Sequence, residues 1–192
     1  MEHIWLLSGF AGSGKDTVAS LLVNLLGSQA TIGSFAGAAK DAVAAQYNLN
    51  RHLLDTQEGK ASIVVFPTRQ LTVRELLIEY AEGEKRRAGN PAVWAERIAP
   101  PTTPHWILSD WRFLDELLYL RMRFPRAAVH TLRITRPSVH SSASHTEHDL
   151  DLFHFEYVVD NSGSLLYLAN QIQKILEDTR ISCVASMSKE CM

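Results

Sequence analysis

Apolar residues along this chain fall into two alternating rhythms. Ile4-Trp5-Leu6-Leu7 is a short unbroken apolar run, and Trp106-Ile107-Leu108 and Tyr157-Val158-Val159 repeat that form, with weaker, interrupted examples at 31–35 and 129–134. Runs this short and continuous read as strands buried on both faces. Between them the apolar positions switch to helical spacing: Val18, Leu21, Leu22, Leu25 and Leu26; then Val73, Leu76, Leu77 and Tyr80; then Leu114, Leu117 and Leu118. The pattern predicts strands at 3–8, 31–35, 106–108, 129–134 and 157–159. It predicts helices at 15–26, 37–47, from Thr72 to near Gly83, in a short stretch opened by Pro91, at 114–121 and at 165–176. Residues 48–68 read as an irregular connection, with Pro67 as a breaker.

Strands alternating with helices predict an α/β fold of about five parallel strands with helices on both faces. Residues 1–180 read as one domain, with a lid at about 137–150 and a flexible tail at 181–192. In such sheets ligands gather at the carboxyl ends of the strands, which tells us where to look for chemistry.

The richest segment lies at the first such end. Strand 3–8 runs into Gly9-Phe10-Ala11-Gly12-Ser13-Gly14-Lys15-Asp16-Thr17, a G-x-x-x-x-G-K loop with a helix directly after it. Gly9, Gly12 and Gly14 let the backbone curl so that successive N–H groups, that of Ser13 among them, face one phosphate chain. The helix terminus adds partial positive charge and Lys15 a full one. The expected ligand is ATP with Mg2+. Asp16 stands where Ser or Thr usually ligates the metal, and Thr17 follows. A carboxylate suits a hard cation, so both are metal candidates, although Asp16 would also favour the helix dipole as a first-turn acid.

Composition adds limits. The 192 residues are 46% hydrophobic and 21% charged, with a net charge of -2, so no polybasic footprint for long duplex DNA is present. No apolar run reaches the length of a membrane span, and the start lacks a signal peptide's basic residues. The two cysteines, Cys183 and Cys191, are too few and too peripheral for a disulfide framework, so a reducing cytoplasm is the expected location. Phosphoryl transfer requires cations near strand ends. Lys40 follows the second strand, Lys85-Arg86-Arg87 follow the helix expected to end near Gly83, Arg112 follows the third strand, and Arg136 closes the fourth. Asp110 can hold water on magnesium, accept a proton, or cap the helix beyond it. The serine-rich segment 137–150 carries His140, His145 and His148 without metal-site spacing and reads as a lid loop.

Read in order, LSGFAGSGKDT, SFAGAAKDA, EKRRAGNPAVW, SDWRFLDEL, RITRP, SHTEHDL and YVVDNSGSLLYL resemble the bacteriophage deoxynucleoside monophosphate kinases over nearly the whole chain. The animal-type phosphomevalonate kinases share several of these pieces, and phage kinases that phosphorylate 5-hydroxymethyluracil in DNA are a related possibility. The resemblance implies an α/β P-loop NTPase fold of the nucleoside monophosphate kinase-like type. It also implies a P-loop kinase that moves the γ-phosphate of ATP to a deoxynucleotide, either a free monophosphate or a modified base in DNA. No membrane partner is expected and a homodimer is left open, although the chain has little room for the inserted substrate or dimer region of longer phage members. It implies that Lys15 bridges the β- and γ-phosphates, that Lys40, Arg86 and Arg112 contact the acceptor, and that Arg136 and Glu147 belong to the lid side. Lys15, Asp110 and Arg112 are the catalytic candidates. Trp111 replaces a threonine of the family's D-T-R segment, and the chain is short, which leaves the acceptor open. Trp94, Trp106 and Trp111 are candidates for stacking a base, with a core role favoured for Trp106 within its strand.

Overall fold

The computed structural model describes residues 1–137, 139 and 149–187, the side chains of 180–187 apart. In chain order the elements are β1 (His3–Ser8), α1 (Lys15–Leu26), β2 (Ala30–Gly33), α2 (Phe35–Tyr47), α3 (Gln57–Ala61), β3 (Ile63–Val65) and β4 (Gln70–Thr72). They continue as α4 (Val73–Ala88), α5 (Val93–Glu96), β5 (His105–Leu108), α6 (Leu114–Arg123), β6 (Ala128–Thr135), β7 (Tyr157–Asp160) and α7 (Leu165–Met187). The chain forms two compact units. One comprises Met1–Ile32, Pro101–Leu114 and Phe124–Met192; the other comprises Gly33–Pro100 and Asp115–Arg123.

The first unit is built on a five-stranded sheet in the order β2-β5-β1-β6-β7. β1 runs parallel to both neighbours, pairing Trp5 with Ile107 and with His130, and β6 runs parallel to β7. The central position of β1 explains its unbroken apolar run, since Ile4, Trp5, Leu6 and Leu7 are all fully buried. Trp5 and Leu7 pack with Val18, Ala19 and Leu22 of α1 and with Leu168 and Ile172 of α7. At 25 cal/mol per Å² of apolar surface, each such aliphatic side chain contributes roughly 1.5–3 kcal/mol. α7 runs well past Leu176, where the apolar periodicity weakens, so residues 181–187 are helical.

The second unit gathers Val43, Leu54, Val73 and Leu76 into one cluster and Ala39, Val93 and Trp94 into another. Ser34 caps α2 by accepting from the Gly37 amide, which starts that helix earlier than its alanine run suggests. The stretch 48–68, expected to be irregular, carries a 3-10 turn, α3 and the first strand of a two-stranded antiparallel hairpin. α4 also overruns its expected end. Gly83 in a helix costs about 1 kcal/mol, but the next residue, Glu84, is buried and paired with Arg87 and with Arg97 at 2.9 Å. Termination falls instead to Gly89, whose φ of 59° closes the helix in the left-handed region.

At the amino end of the main sheet, three histidines meet across three strands. His3 and His105 stack with ring centroids 4.7 Å apart, and His3 Nδ1 lies 3.1 Å from His130 Nε2. Trp5 Nε1 donates to His105 Nδ1 at 3.2 Å, while His130 Nδ1 faces the Glu156 carboxylate at 3.2 Å. A contact between two imidazole nitrogens requires one bare nitrogen, so the fold disfavours charging both rings. Burial lowers the pKa of His130 even against the opposing pull of Glu156, and burial reinforced by His130 lowers that of His3. The unfolded chain therefore takes up protons more readily, and stability present above the ordinary value of about 6.5 is lost as pH falls below it. Thermal melting should drop by at least about 2 °C between neutral and mildly acidic buffer, and the drop should shrink in a His3→Asn, His130→Gln double variant. An equal drop in both proteins would rule out this cluster as its source.

Candidate active site

The carboxyl ends of β1, β5, β6 and β7 converge in the first unit. Beyond β1 the chain turns through Gly9, Gly12 and Gly14, with φ of 152°, 81° and 100°. At Gly9 a Cβ would lie 2.5 Å from the Ile134 carbonyl oxygen and 2.6 Å from Ser13 Oγ, and at Gly14 it would run into the Asn161 side chain. Two of the three glycines are thus fixed by close approach of a neighbouring strand as well as by backbone angle. Gly14 is the N-cap of α1 and supplies no side-chain cap, so the first-turn amides face the loop uncapped. Lys15 Nζ lies across its own loop, donating to the carbonyls of Gly9 (2.6 Å) and Phe10 (3.0 Å). Ser13 Oγ is buried with no hydrogen-bond partner among the described residues.

Asn161, just past β7, donates from its side chain to the Ser13 carbonyl at 2.8 Å, and its amide donates to Thr135 at 2.8 Å. One residue thereby ties the end of β6 to the glycine turn. Sequence reading passed it over because Asn-Ser-Gly-Ser looks like an ordinary turn; its position directly after an apolar strand was the available signal. Beyond β5, Ser109 Oγ donates to the Asp16 carboxylate at 3.3 Å, which brings the end of that strand against the first turn of α1. Asp110 follows, half-buried. The first amide of α6, that of Leu114, donates to Asp149 at 3.4 Å.

Two cavities open on this loop. A narrow one of about 10 Å³ is lined by Ser8, Gly9, Lys15, Trp111, Arg112 and Arg133. The other, about 190 Å³, is bounded by Phe10, Ser13, Arg133, Thr135, Arg136 and Val139. Lys15 and Arg112 are thus brought together, and Arg136 stands at the second cavity beside the loop. Thr17 is exposed on the first turn of α1.

Lys40 and Arg86 belong to the second unit. Lys40 is paired with Asp55 at 3.0 Å, and the Arg51 and Lys40 side chains hold the Asp55 carboxyl down at about 2. Lys85, Arg86 and Arg87 do not follow α4, as expected, but form its last turn, where they complement the negative end of the helix. Glu147 and most of the expected lid at 137–150 lie outside the described residues. Trp94, Trp106 and Trp111 are 4%, 2% and 1% exposed, so each is buried: this agrees with the core role favoured for Trp106 and corrects the base-stacking reading of Trp94 and Trp111. Among the described residues no cluster of three His, Cys, Asp or Glu side chains is placed to hold a metal, and no helix is long and apolar enough to cross a membrane.

No family model and no curated protein matches the chain. Solved structures do. TT1252 from Thermus thermophilus aligns over 92% of this chain and 97% of its own, at 20% identity and a TM-score of 0.50. The α/β fold is shared. Weaker likenesses are shikimate kinase from Aquifex aeolicus, covering 93% of this chain and 98% of its own at 16% identity and a TM-score of 0.44. Another is the Mycobacterium tuberculosis APS kinase CysC in complex with AMPPNP and APS, covering 92% and 96% at 12% identity and a TM-score of 0.42.

The Asn161 clamp is open to a double-mutant cycle. Gly14→Ala should cost about 2 kcal/mol in urea unfolding, from its backbone angle and the collision with Asn161. Asn161→Ala should cost about 1 kcal/mol through its lost hydrogen bond. The pair should cost less than the sum, because removing Asn161 relieves the collision; strict additivity would show that the two residues do not meet.

Proposed function

We propose that this protein is an ATP-dependent phosphotransferase that moves the γ-phosphate of ATP to a deoxynucleotide, as the resemblance to phage deoxynucleoside monophosphate kinases implies. One observation carries the reading: the glycine turn between β1 and α1, its uncapped helix terminus and Lys15 meet Arg112 at a single cavity. Positive charge is concentrated there in the manner that phosphoryl transfer requires. The unpartnered Ser13 hydroxyl adds a donor beside the larger cavity.

In this scheme the loop amides and Lys15 hold the β- and γ-phosphates, the ammonium leaving the Gly9 and Phe10 carbonyls for phosphate oxygens. Arg136 stands on the nucleotide side. Asp16 and Thr17 offer hard oxygen donors on one helical turn, a set that suits magnesium, which keeps several waters and takes few protein ligands. When bound, the metal neutralises charge on the β- and γ-phosphates. An oxygen of the acceptor's phosphate forms the new bond to the γ-phosphorus as the bond to the β–γ bridging oxygen breaks, and ADP leaves with that electron pair. This acceptor oxygen needs no base. Arg112 holds the acceptor's phosphate and spreads charge in the transition state; the family resemblance alone names Lys40, Arg86 and Glu147 as further acceptor-side candidates. For a hydroxymethyl acceptor in DNA, Asp110 would take the hydroxyl proton instead. The burial of the three tryptophans favours the small acceptor, since none offers a face to a flipped base. We also propose a cytoplasmic setting, since two cysteines are too few for a disulfide framework.

Labelled ATP with a panel of deoxynucleoside monophosphates should yield a labelled diphosphate. Labelling only of DNA that contains 5-hydroxymethyluracil would transfer the assignment to base modification, and labelling of mevalonate phosphate would transfer it to the related kinases. Lys15→Ala and Arg112→Ala should each lower turnover by ~10²–10³-fold, and a variant at near-full rate would remove that residue from the scheme.

A further inference from the structure

Arg133 was not among the residues that sequence reading selected, although its neighbour Arg136 was. In the structure it forms a wall common to both cavities. Its guanidinium lies over the Phe10 ring at 4.8 Å and over the Phe155 ring at 5.5 Å. Nη1 donates to Ser8 Oγ at 3.1 Å and Nη2 to Asp151 at 3.2 Å. The side chain is only 14% exposed, whereas Asp151 is 39% exposed. Two of its five donors are used in these bonds, and the others have no partner among the described residues.

An arginine fixed in this way has lost its rotamer freedom in advance. Two aromatic faces and two hydrogen bonds hold the fork rigid, and the exposed aspartate offsets only part of its charge, because solvent screens that pair. A cation that is already oriented costs no reorganisation when charge develops in front of it. Lys15 and Arg112 line the same narrow cavity. We infer that Arg133 is a third catalytic cation of this site, contacting the transferring phosphoryl group between Lys15 and Arg112. Phe10, in the variable part of the glycine loop, then has a purpose of its own: it is the platform that aims Arg133. A lysine could not reproduce the arrangement, since it lacks both the planar stack and the fork.

This inference rests on the phosphotransferase reading, and the test separates the two. Turnover is measured with ATP and the preferred acceptor for the wild type, Arg133→Lys, Arg133→Gln and Arg133→Ala, alongside melting temperature and AMPPNP affinity. The expected result is a fall in kcat of ~10²–10³-fold in Arg133→Ala, with KM for ATP moved far less. Added guanidinium chloride at millimolar levels should restore part of the lost rate by entering the slot between Phe10 and Phe155. Unchanged kcat in Arg133→Ala and Arg133→Gln, with the wild type active, overturns the inference alone. So does a loss that follows reduced melting temperature in all three variants and resists guanidinium, which would mark a structural strut. If the wild type transfers phosphate to nothing, the functional reading fails and the inference goes with it.

Discussion

The site depends on how closely three strand ends approach one turn of backbone. Gly9 lies against the Ile134 carbonyl and Gly14 against the Asn161 side chain, so the loop after β1 is shaped as much by β6 and β7 as by its own dihedrals. Asn161 converts that proximity into a tether by bonding the Ser13 carbonyl and Thr135 together. A glycine-rich segment alone loses much entropy on ordering and would wander. Held on both sides, it presents amides in one arrangement.

The same logic extends to the charged groups. Asp16 is reached by Ser109 from the end of β5, and Arg133 by Ser8, Asp151, Phe10 and Phe155. Both side chains are oriented by a partner on another strand or connection, so the sheet, by setting its register, also helps set the geometry of the site. Ser8 and Arg133 are direct register partners, which is why the guanidinium meets the glycine turn at its first residue.

Much of this could be read from the chain. The five strands of the main sheet, the helix after the glycine loop and the cations at Arg112 and Arg136 followed from short apolar runs and their punctuation, because buried parallel strands and their exits have distinct local composition. What escaped reading depended on long-range partners. Gly83 resembles a helix end unless Glu84 is known to be buried against Arg97. The 48–68 stretch has too few residues per element for a period to register, and the hairpin of Ile63–Val65 with Gln70–Thr72 spans only three residues on each side. Arg133 resembles a solvated charge in a strand until Phe10 and Phe155 are seen around it. Trp94 and Trp111 err in the opposite direction: an indole near a motif suggests a ligand platform, but bulk and apolarity bury both, as they bury Trp106 within its strand.

The order in which the main sheet is assembled affects its synthesis. β1 emerges from the ribosome first, yet its two partners, β5 and β6, begin at His105 and Ala128. For about a hundred residues the nascent chain carries an apolar segment whose edges have nothing to pair with, while the stretch Gly33–Pro100 of the other unit is already made. Such unpaired apolar segments are where chaperones bind and where aggregates start. The strand that leads into the glycine loop is therefore the strand of the main sheet that waits longest for a partner during translation.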